Sequence, residues 1–321
     1  MVEKINLKKI YLEILKIRIL EETISKRYKE QEMRCPIHLS IGQEAIAVGV
    51  CQNLNDNDQI VSNHRCHAHY LAKGGNVQKM VNEFYGNSYG CSGGRGGSMH
   101  LFDQKKGILS SVPIVSSSIP VGVGAGFSFK YNKKNNIAVI FLGDAAIEEG
   151  VFYESLNYAK ILSLPVLFVC ENNSFSCFTN IKERQPKGLI KKISKAFNIK
   201  THFLNGNDTI QIFKKSKKII KEIKKKKEPQ FMLLDTYRLY EHCGPSKDDH
   251  LNYRNPKEIK YWKKHCPLEK IERILLSKKI LGKKQIIKLK LEHTIKINKI
   301  FENFKKNGFS GTQLNKIKLY A

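Results

Sequence analysis

The chain has 321 residues, of which 41% are hydrophobic, enough for one large α/β domain with a tail or for two small domains. This apolar content excludes a disordered chain. Lysine and arginine outnumber acidic residues by 56 to 29, which gives a formal net charge of +27. Because no nucleic-acid-binding motif accompanies the lysine-rich stretches, we interpret them as solvated faces of surface helices, with a docking surface for an acidic partner subunit as the alternative.

The eight cysteines are scattered along the chain without a CxxC pair. This spacing favours reduced thiols in a cytoplasmic protein over a disulfide framework or a zinc site. The sequence also shows no signal-peptide pattern and no run of about 18 apolar residues, so we expect no membrane association.

The first part of the chain predicts two helices joined by a turn. Residues 5–33 carry apolar side chains near the helical period and predict a long amphipathic helix. A turn containing His38 then leads to a helix from about Gln43 to Leu54. A histidine beside apolar residues is more often structural than catalytic, so the residues alone leave the role of His38 open.

A short strand near residue 60 ends in a crowded run of three histidines and one arginine. A metal site, an anion site and chance all explain such a run. His64, His67 and His69 would bind zinc only if the backbone brought them together. Arg65 offers a planar fork for phosphate or carboxylate.

Two glycine-rich stretches superficially resemble nucleotide-binding loops. Residues 86–100 form a loop but lack the Lys-Ser/Thr of a P-loop. Residues 122–127 miss the dinucleotide fingerprint because Phe127 stands at the last glycine position, and we expect them to open a helix in which small residues allow close packing. We therefore predict that neither stretch binds a nucleotide.

The stretch from 137 to 179 organises the rest of the chain, because it reads as a strand, a helix and a second strand. Consecutive strands of this kind are parallel and end at one edge of the sheet, where ligands bind. Asp144 follows the first strand and Asn173 follows the second, so we expect their side chains to converge. Their oxygens suit Mg²⁺ or Ca²⁺, and Mg²⁺ commonly adds phosphate oxygens. The local pattern predicts a metal–diphosphate site.

After this unit the pattern predicts a helix over 207–225 and a buried strand over 231–235. The loop at 236–250 follows that strand, at the same edge of the sheet, and contains His242. From Glu258 onward the sequence predicts helices and is rich in lysine and isoleucine. It contains no residues that indicate a catalytic or binding role.

The turn Gly143-Asp144-Ala145, followed by Asn172-Asn173, resembles the thiamine diphosphate motif. The flanking sequence is similar to the alpha subunit of the first component of heterotetrameric 2-oxo acid dehydrogenases. This is the pyruvate and acetoin dehydrogenase group. The stretches that carry this resemblance are HLSIGQEA (38–45), HRCHAHYLAKG (64–74), GGRGGSMH (93–100), the GDAA to ENN segment (143–173) and TYRLYEHCGPS (236–246). They stand in the family's order and cover roughly residues 10 to 265.

The resemblance assigns a role to each matched position. It implies that Mg²⁺ is held by Asp144, Asn173 and the main-chain carbonyl of Phe175. It implies catalytic roles for His242 and His38. It implies cofactor contacts from His64, Arg65, Val115, Gly143, Asp144, Ala145, Ala146, Asn173, Phe175 and His242. Ala145 departs from the family's second glycine and is compatible with the cofactor if its φ is negative and its methyl clears the diphosphate.

The resemblance also implies an α/β fold: a parallel-sheet thiamine diphosphate-binding fold with helices on both faces, an N-terminal helix and a helical C-terminal tail. We predict an N-terminal helical segment at 1–34, the cofactor-binding domain at 35–256 and the tail at 257–321. The implied partners are a beta subunit in an α2β2 heterotetramer and a lipoyl acyltransferase core. Neither nucleic acid nor a membrane is expected.

The implied function is decarboxylation of a 2-oxo acid, pyruvate before others, with transfer of the acyl group to a lipoyl acceptor. Activity would require the beta subunit, which in heterotetrameric relatives supplies a glutamate for the cofactor. One alternative is an acetoin dehydrogenase subunit, or a subunit of a specialised biosynthetic pathway without a lipoyl acceptor. A non-enzymatic alternative, motivated by Ala145, is a scaffold subunit that has lost the cofactor.

Overall fold

A computed structural model describes residues 6–306, and its main feature is a six-stranded sheet whose neighbouring strands are all parallel. Along the chain the strands are β1 (Gln59–Ser62), β2 (Ile108–Ser111), β3 (Ala138–Gly143), β4 (Val166–Asn172), β5 (Phe175–Ser176), β6 (Thr179–Asn180), β7 (Lys200–Asn205) and β8 (Gln230–Asp235). The order across the sheet is β2-β1-β3-β4-β8-β7, while β5 and β6 form a separate antiparallel hairpin.

Helices cover the sheet. They are α1 (Leu7–Arg27), α2 (Glu44–Cys51), α3 (His67–Ala72), α4 (Val77–Phe84), α5 (Ser118–Tyr131), α6 (Gly150–Ile161), α7 (Ile181–Arg184), α8 (Leu189–Ala196), α9 (Thr209–Lys226), α10 (Pro256–Lys264), α11 (Pro267–Ser277) and α12 (Lys283–Lys306). Among the described residues, no helix is both long and apolar enough to cross a membrane.

The strand residues alternate between two cores, one on each face of the sheet. Val139 and Phe141 of β3 belong to the core that also includes α1, α2 and α9, whereas Ile140 and Leu142 belong to the core formed with α5 and α6. A strand buried on both faces reads as a continuous apolar run, as β3 does in the sequence. The predicted α/β fold with helices on both faces is confirmed.

The predicted strand–helix–strand unit is also confirmed. β3 pairs in parallel with β4 from Ala138 opposite Val166 to Gly143 opposite Glu171. Helix α6 connects the two strands and begins directly after Glu149, whose carboxylate charge suits the positive end of the helix. The two strands therefore end side by side, which fixes where the residues that follow them begin.

Helix α1 confirms the predicted N-terminal helix, and the side chain of Asn6 caps it by accepting the Lys9 N–H at 2.9 Å. The helix packs on α11 and α12. Residues of all three predicted segments contribute to one shared core, and the boundaries at 34 and 257 remain predictions. Residues 1–5 and 307–321 lie outside the described residues. They include Gly308, where the sequence predicts a break in the C-terminal helices.

The second glycine-rich stretch lies in the middle of α5. The expectation that it would open the helix is therefore wrong. A Cβ on Gly122 would lie 2.4 Å from Cγ1 of Ile140, and one on Gly126 would lie 2.5 Å from Cγ2 of Val166. The glycines therefore let α5 approach β3 and β4 closely, which is the packing role that the sequence analysis gave them.

The first glycine-rich stretch folds around a buried carboxylate. Glu83, in the last turn of α4, is 1% exposed. Its Oε2 accepts the backbone N–H groups of Ser92 at 2.7 Å and Gly94 at 2.9 Å, and its Oε1 accepts those of Gly96 at 2.7 Å and Gly97 at 3.1 Å. Four backbone amides of this loop thus surround an anion, but the anion is a side chain of the protein itself.

Replacing Glu83 by glutamine should lower the free energy of unfolding by about 2–4 kcal/mol, because one amide nitrogen would face N–H donors and the carboxylate charge would be lost. Urea unfolding of the full chain measures this change. The control, Glu154→Gln, removes an exposed carboxylate on α6 and should change stability by less than about 0.5 kcal/mol. Equal losses of stability in both variants would contradict the stabilising role of the hydrogen bonds that Glu83 accepts.

Candidate functional site

A cavity of about 190 Å³ lies at the carboxyl ends of the central strands. It contains every residue for which the sequence analysis predicted a metal, cofactor or catalytic role. These residues are His38, His64, Arg65, Val115, Gly143, Asp144, Ala145, Ala146, Asn173, Phe175 and His242. Segments that are far apart in the sequence therefore converge where parallel α/β sheets bind ligands.

Asp144 is the most deeply buried charge of this cavity, with 1% of its surface exposed. Burial raises the pKa of its carboxyl group, while Arg184 and the backbone amides of Asp144 and Asn173 oppose that rise. An Nη2–Oδ2 distance of 2.5 Å joins Arg184 to this carboxylate. A buried carboxylate needs a compensating positive charge, and the Arg184 guanidinium supplies it here.

Asn173 opens the turn after β4. Its Oδ1 accepts the backbone N–H of Phe175 at 3.0 Å, and its Nδ2 lies 3.4 Å from Oε1 of Gln43. Between the two, Ser174 has a left-handed φ of 68°. This turn sends the chain into the β5–β6 hairpin and leaves the Asn173 amide and the Phe175 backbone at the cavity wall.

A short segment after the hairpin closes over Asp144. Arg184, the last residue of α7, bonds to Glu148 as well as to Asp144. The side-chain amide of Gln185 donates to the Asp144 carbonyl at 2.9 Å and to Oε1 of Glu148 at 2.6 Å. Arg184 and Gln185 were not predicted as site residues from the sequence. The sequence shows only that they lie in a loop that follows the metal-binding motif.

The turn at 143–145 leaves room for a ligand. A Cβ on Gly143 would meet no atom within 4 Å, so open space lies beside its backbone. Ala145 lies in a 3-10 helix from Asp144 to Glu148, and it is not among the described residues that have a positive φ. The backbone condition under which the sequence analysis accepted an alanine here is therefore met.

Three histidines from separate segments meet in the wall of the same cavity. The ring centroid of His38 lies 4.8 Å from that of His64 and 5.2 Å from that of His242, and the last two are 5.2 Å apart. Burial and the nearby Arg65 lower the pKa of His38 to about 3 and that of His242 to about 4. Burial also places the pKa of His64 well below its usual value. All three imidazoles are therefore neutral at physiological pH.

Arg65 holds this wall together through main-chain carbonyls. Its Nη1 donates to the carbonyl of Leu39 at 2.7 Å, and its Nη2 donates to that of His242 at 3.1 Å. Burial and the neighbouring Arg238 lower the pKa of Arg65 to about 10. The side chain thus links the segments that carry His38 and His242, while the cofactor contact expected from the resemblance remains a prediction.

The other two histidines of the crowded run point elsewhere. Nδ1 of His67 lies 2.7 Å from Oε1 of Glu21, and its Nε2 lies 2.9 Å from Oγ of Ser98. His69 contacts Oγ of Ser62 through Nδ1 at 2.7 Å and Oε1 of Glu171 through Nε2 at 3.1 Å. His64, His67 and His69 therefore do not meet at one point, and the condition under which they would bind zinc together is not met. Helix α3 turns the second and third of them into the interior.

Arg238 connects the loop that carries His242 to the hairpin beside Asn173. The side chain is fully buried, and its Nη2 donates to the carbonyl of Cys177 at 2.6 Å. Its Nη1 donates to the carbonyl of Tyr240 at 2.8 Å. Sequence reasoning missed this residue because nothing in TYRLY distinguishes a buried arginine from an exposed one.

Comparisons with known proteins agree with this geometry. The dehydrogenase E1 component family matches residues 13–311. A pyruvate dehydrogenase E1 component subunit alpha from Rickettsia bellii is 34% identical over 268 residues, 84% of this chain and 81% of the relative. The alpha subunit of acetoin:2,6-dichlorophenolindophenol oxidoreductase from Bacillus subtilis is 34% identical over 233 residues, 73% of this chain and 70% of the relative.

A mitochondrial pyruvate dehydrogenase E1 alpha subunit from Chaetomium thermophilum is 38% identical over 179 residues, which are 56% of this chain and 43% of the relative. The family match spans every strand of the sheet and all the residues that line the cavity. The chain therefore belongs to the dehydrogenase E1 component family, a family of thiamine diphosphate-dependent oxidoreductases, and resembles its alpha subunits.

Proposed function

We propose that this chain is the alpha subunit of a thiamine diphosphate-dependent dehydrogenase that decarboxylates a 2-oxo acid, with pyruvate as the first candidate. The observation that carries the proposal is the convergence of Asp144 and Asn173 at the ends of two adjacent parallel strands, inside one cavity. The relative from Rickettsia bellii, a pyruvate dehydrogenase subunit, supports the choice of substrate.

The residues of the cavity fit a magnesium ion that carries a diphosphate. Asp144, the Asn173 amide and the Phe175 carbonyl offer hard oxygen ligands, and Mg²⁺ takes few protein ligands beside phosphate oxygens. The guanidinium of Arg184 now balances the charge of Asp144, and the metal ion would supply that balance instead. The open space beside Gly143 supports an approach of the phosphates to the backbone.

Thiamine diphosphate, when bound, supplies the electron sink for loss of CO₂ from a 2-oxo acid. The chain's own contribution is binding, orientation and hydrogen bonding. His242 and His38 act as neutral imidazoles, so they donate or accept hydrogen bonds at the reacting end and carry no fixed positive charge. His64, Arg65, Val115, Ala145 and Ala146 complete the surface that contacts the cofactor.

The site is completed by a beta subunit in an α2β2 assembly. The rim of the cavity and the outer faces of α5 and α6 expose large apolar side chains, which monomeric proteins rarely gather in one area. They are Ile114, Val115, Val121, Phe127, Tyr131, Tyr158, Ile161 and Phe178. We propose that partner subunits cover this apolar face and that the beta subunit brings the glutamate that the cofactor requires. A lipoyl acyltransferase core would then receive the acyl group.

A second candidate function is acetoin cleavage, which the relative from Bacillus subtilis favours. The two functions share the cofactor and differ in the substrate pocket. The scaffold alternative loses part of its motivation, because Ala145 does not have a positive φ. Clearance of its methyl from the diphosphate stays a prediction. We place the protein in the cytoplasm on the basis of its eight free cysteines, since such thiols persist where the medium is reducing.

Asp144→Asn should weaken Mg²⁺-dependent binding of thiamine diphosphate by about 100-fold or more, because the metal would lose its charged ligand. Calorimetry of the assembled protein with and without Mg²⁺ measures this affinity. The control is Asp56→Asn, which removes an exposed carboxylate outside the cavity. Unchanged affinity in Asp144→Asn would refute the metal assignment.

The chain alone should show no turnover of a 2-oxo acid, and activity should appear when the beta subunit is added.

NAD reduction in the presence of lipoyl acyltransferase and dihydrolipoyl dehydrogenase, with pyruvate and acetoin compared, identifies the substrate. Phe127→Asp should prevent assembly because it puts a charge on the apolar face. Ile287→Asp on α12 should not, although Ile287 is 66% exposed and Phe127 is 41% exposed. Ordinary turnover by the isolated chain would contradict the proposal.

The neutral histidines make stability depend on pH. Their pKa values are lowered in the folded chain, so the unfolded chain binds more protons below pH 6.5 and the folded state loses stability as the pH falls toward about 4. Between pH 7 and pH 5 we expect about 1–2 kcal/mol of loss from His242. Urea unfolding should show a smaller loss in His242→Gln and the full loss in His250→Gln. Stability that rises on acidification would contradict neutral imidazoles.

A further inference from the structure

We propose that His38, His64 and His242 form a binding site for a divalent transition metal of the zinc type in the cofactor-free protein. The site is separate in chemistry from the oxygen ligands at Asp144 and Asn173. Within the described part of the chain, these three side chains are the one group of histidine, cysteine and acidic residues whose ligand atoms are close enough to share an ion.

The spacing of the ligand atoms requires only small movements. One ring nitrogen from each histidine lies within 4.8 Å of the other two. Some point therefore lies within about 2.8 Å of all three nitrogens, whereas zinc–nitrogen bonds measure about 2.0–2.1 Å. Each nitrogen would have to move by roughly 0.7 Å, which small rotations about the side-chain torsions provide.

His38 gives an independent indication that a ligand belongs here. The residue is 7% exposed, and its Nδ1 is buried without a hydrogen-bond partner. A buried imidazole nitrogen without a partner is unfavourable, and a metal ion bound through Nδ1, or a ligand donor, would satisfy it. The observation concerns this nitrogen itself and does not depend on the spacing of the three rings.

The charge state of the histidines suits metal binding. Metals bind the neutral imidazole, and burial holds all three in that form at physiological pH. Arg65 places a positive charge nearby, but its guanidinium donates to the carbonyls of Leu39 and His242. The carboxylates of Glu21 and Glu171 interact with Arg65 and offset that charge.

The three histidines are also held in place before any ion arrives. His38 pairs with Gly244 in a parallel β-bridge, and the Gly244 N–H donates to the carbonyl of Ile37 at 2.8 Å. Arg65, next to His64, bonds to the carbonyl of His242. The segments therefore need no large rearrangement, and a fourth coordination position would remain open to water.

A metal at this position would occupy the cavity in which the proposed function places thiamine diphosphate. The consequence that follows therefore rests on the proposed function. Bound zinc should compete with the cofactor, so that each excludes the other. Zinc would act as an inhibitor of cofactor loading in the protein that has not yet acquired thiamine diphosphate.

The experiment uses the full cofactor-free chain and titrates it with Zn²⁺ by calorimetry and with Co²⁺ by visible absorption. We expect one site whose affinity falls by about 10- to 100-fold in His38→Gln, His64→Gln and His242→Gln. Two controls should retain the site. His250→Gln removes an exposed histidine, and Asp144→Asn removes the oxygen ligand.

The Co²⁺ spectrum keeps the test independent of the stability of the variants, because it reports the ligands in the unaltered chain. Nitrogen coordination without a thiolate-to-cobalt band supports the proposal. A thiolate band would overturn it, since it would assign the ion to a cysteine such as Cys177 at the cavity wall. Unchanged affinity in His64→Gln, or loss of the site in Asp144→Asn alone, would overturn it as well.

Cofactor binding is measured separately, with Mg²⁺ and thiamine diphosphate in the absence of zinc. Zinc binding that thiamine diphosphate displaces supports both the metal site and its consequence. Zinc binding in a chain that does not take the cofactor, even when assembled, supports the metal site and contradicts the proposed function. Simultaneous binding of zinc and thiamine diphosphate would contradict the proposed competition between them.

Discussion

The parallel register of β3 and β4 is the constraint on which the rest of the structure depends. Because Gly143 lies opposite Glu171, the chain leaves both strands at the same level of the sheet, and Asp144 and Asn173 follow at one edge. The carboxylate of Asp144 is buried there and requires a cation. Arg184 provides one in this structure, and the proposed Mg²⁺ would take its place.

Buried charges organise the loops around this edge, and three of them bond to the main chain of those loops. Glu83 collects four backbone N–H groups of the glycine-rich loop. Arg65 and Arg238 donate to backbone carbonyls of the segments that carry the cavity histidines and the β5–β6 hairpin. Hydrogen bonds to charged groups are stronger than neutral ones, so these residues can fix irregular segments that no sheet or helix supports.

Much of the fold was predictable from the sequence, because apolar runs and helical periodicity report burial directly. The convergence of Asp144 and Asn173 followed from the handedness of strand–helix–strand units and from the resemblance. The sequence left the roles of His67 and His69 open, since proximity in sequence does not reveal that α3 turns both side chains into the interior. Arg184 was missed because its contact depends on how a loop folds back, which no local pattern encodes.

The most direct test of this account is a crystal structure of the assembled protein grown with thiamine diphosphate and Mn²⁺ in place of Mg²⁺. Anomalous scattering locates the manganese without reference to any assumed ligand. The account predicts one peak between the Asp144 carboxylate, the Asn173 amide and the Phe175 carbonyl, with Arg184 displaced from Asp144. Bound thiamine diphosphate whose manganese peak lies away from Asp144 and Asn173 would contradict it.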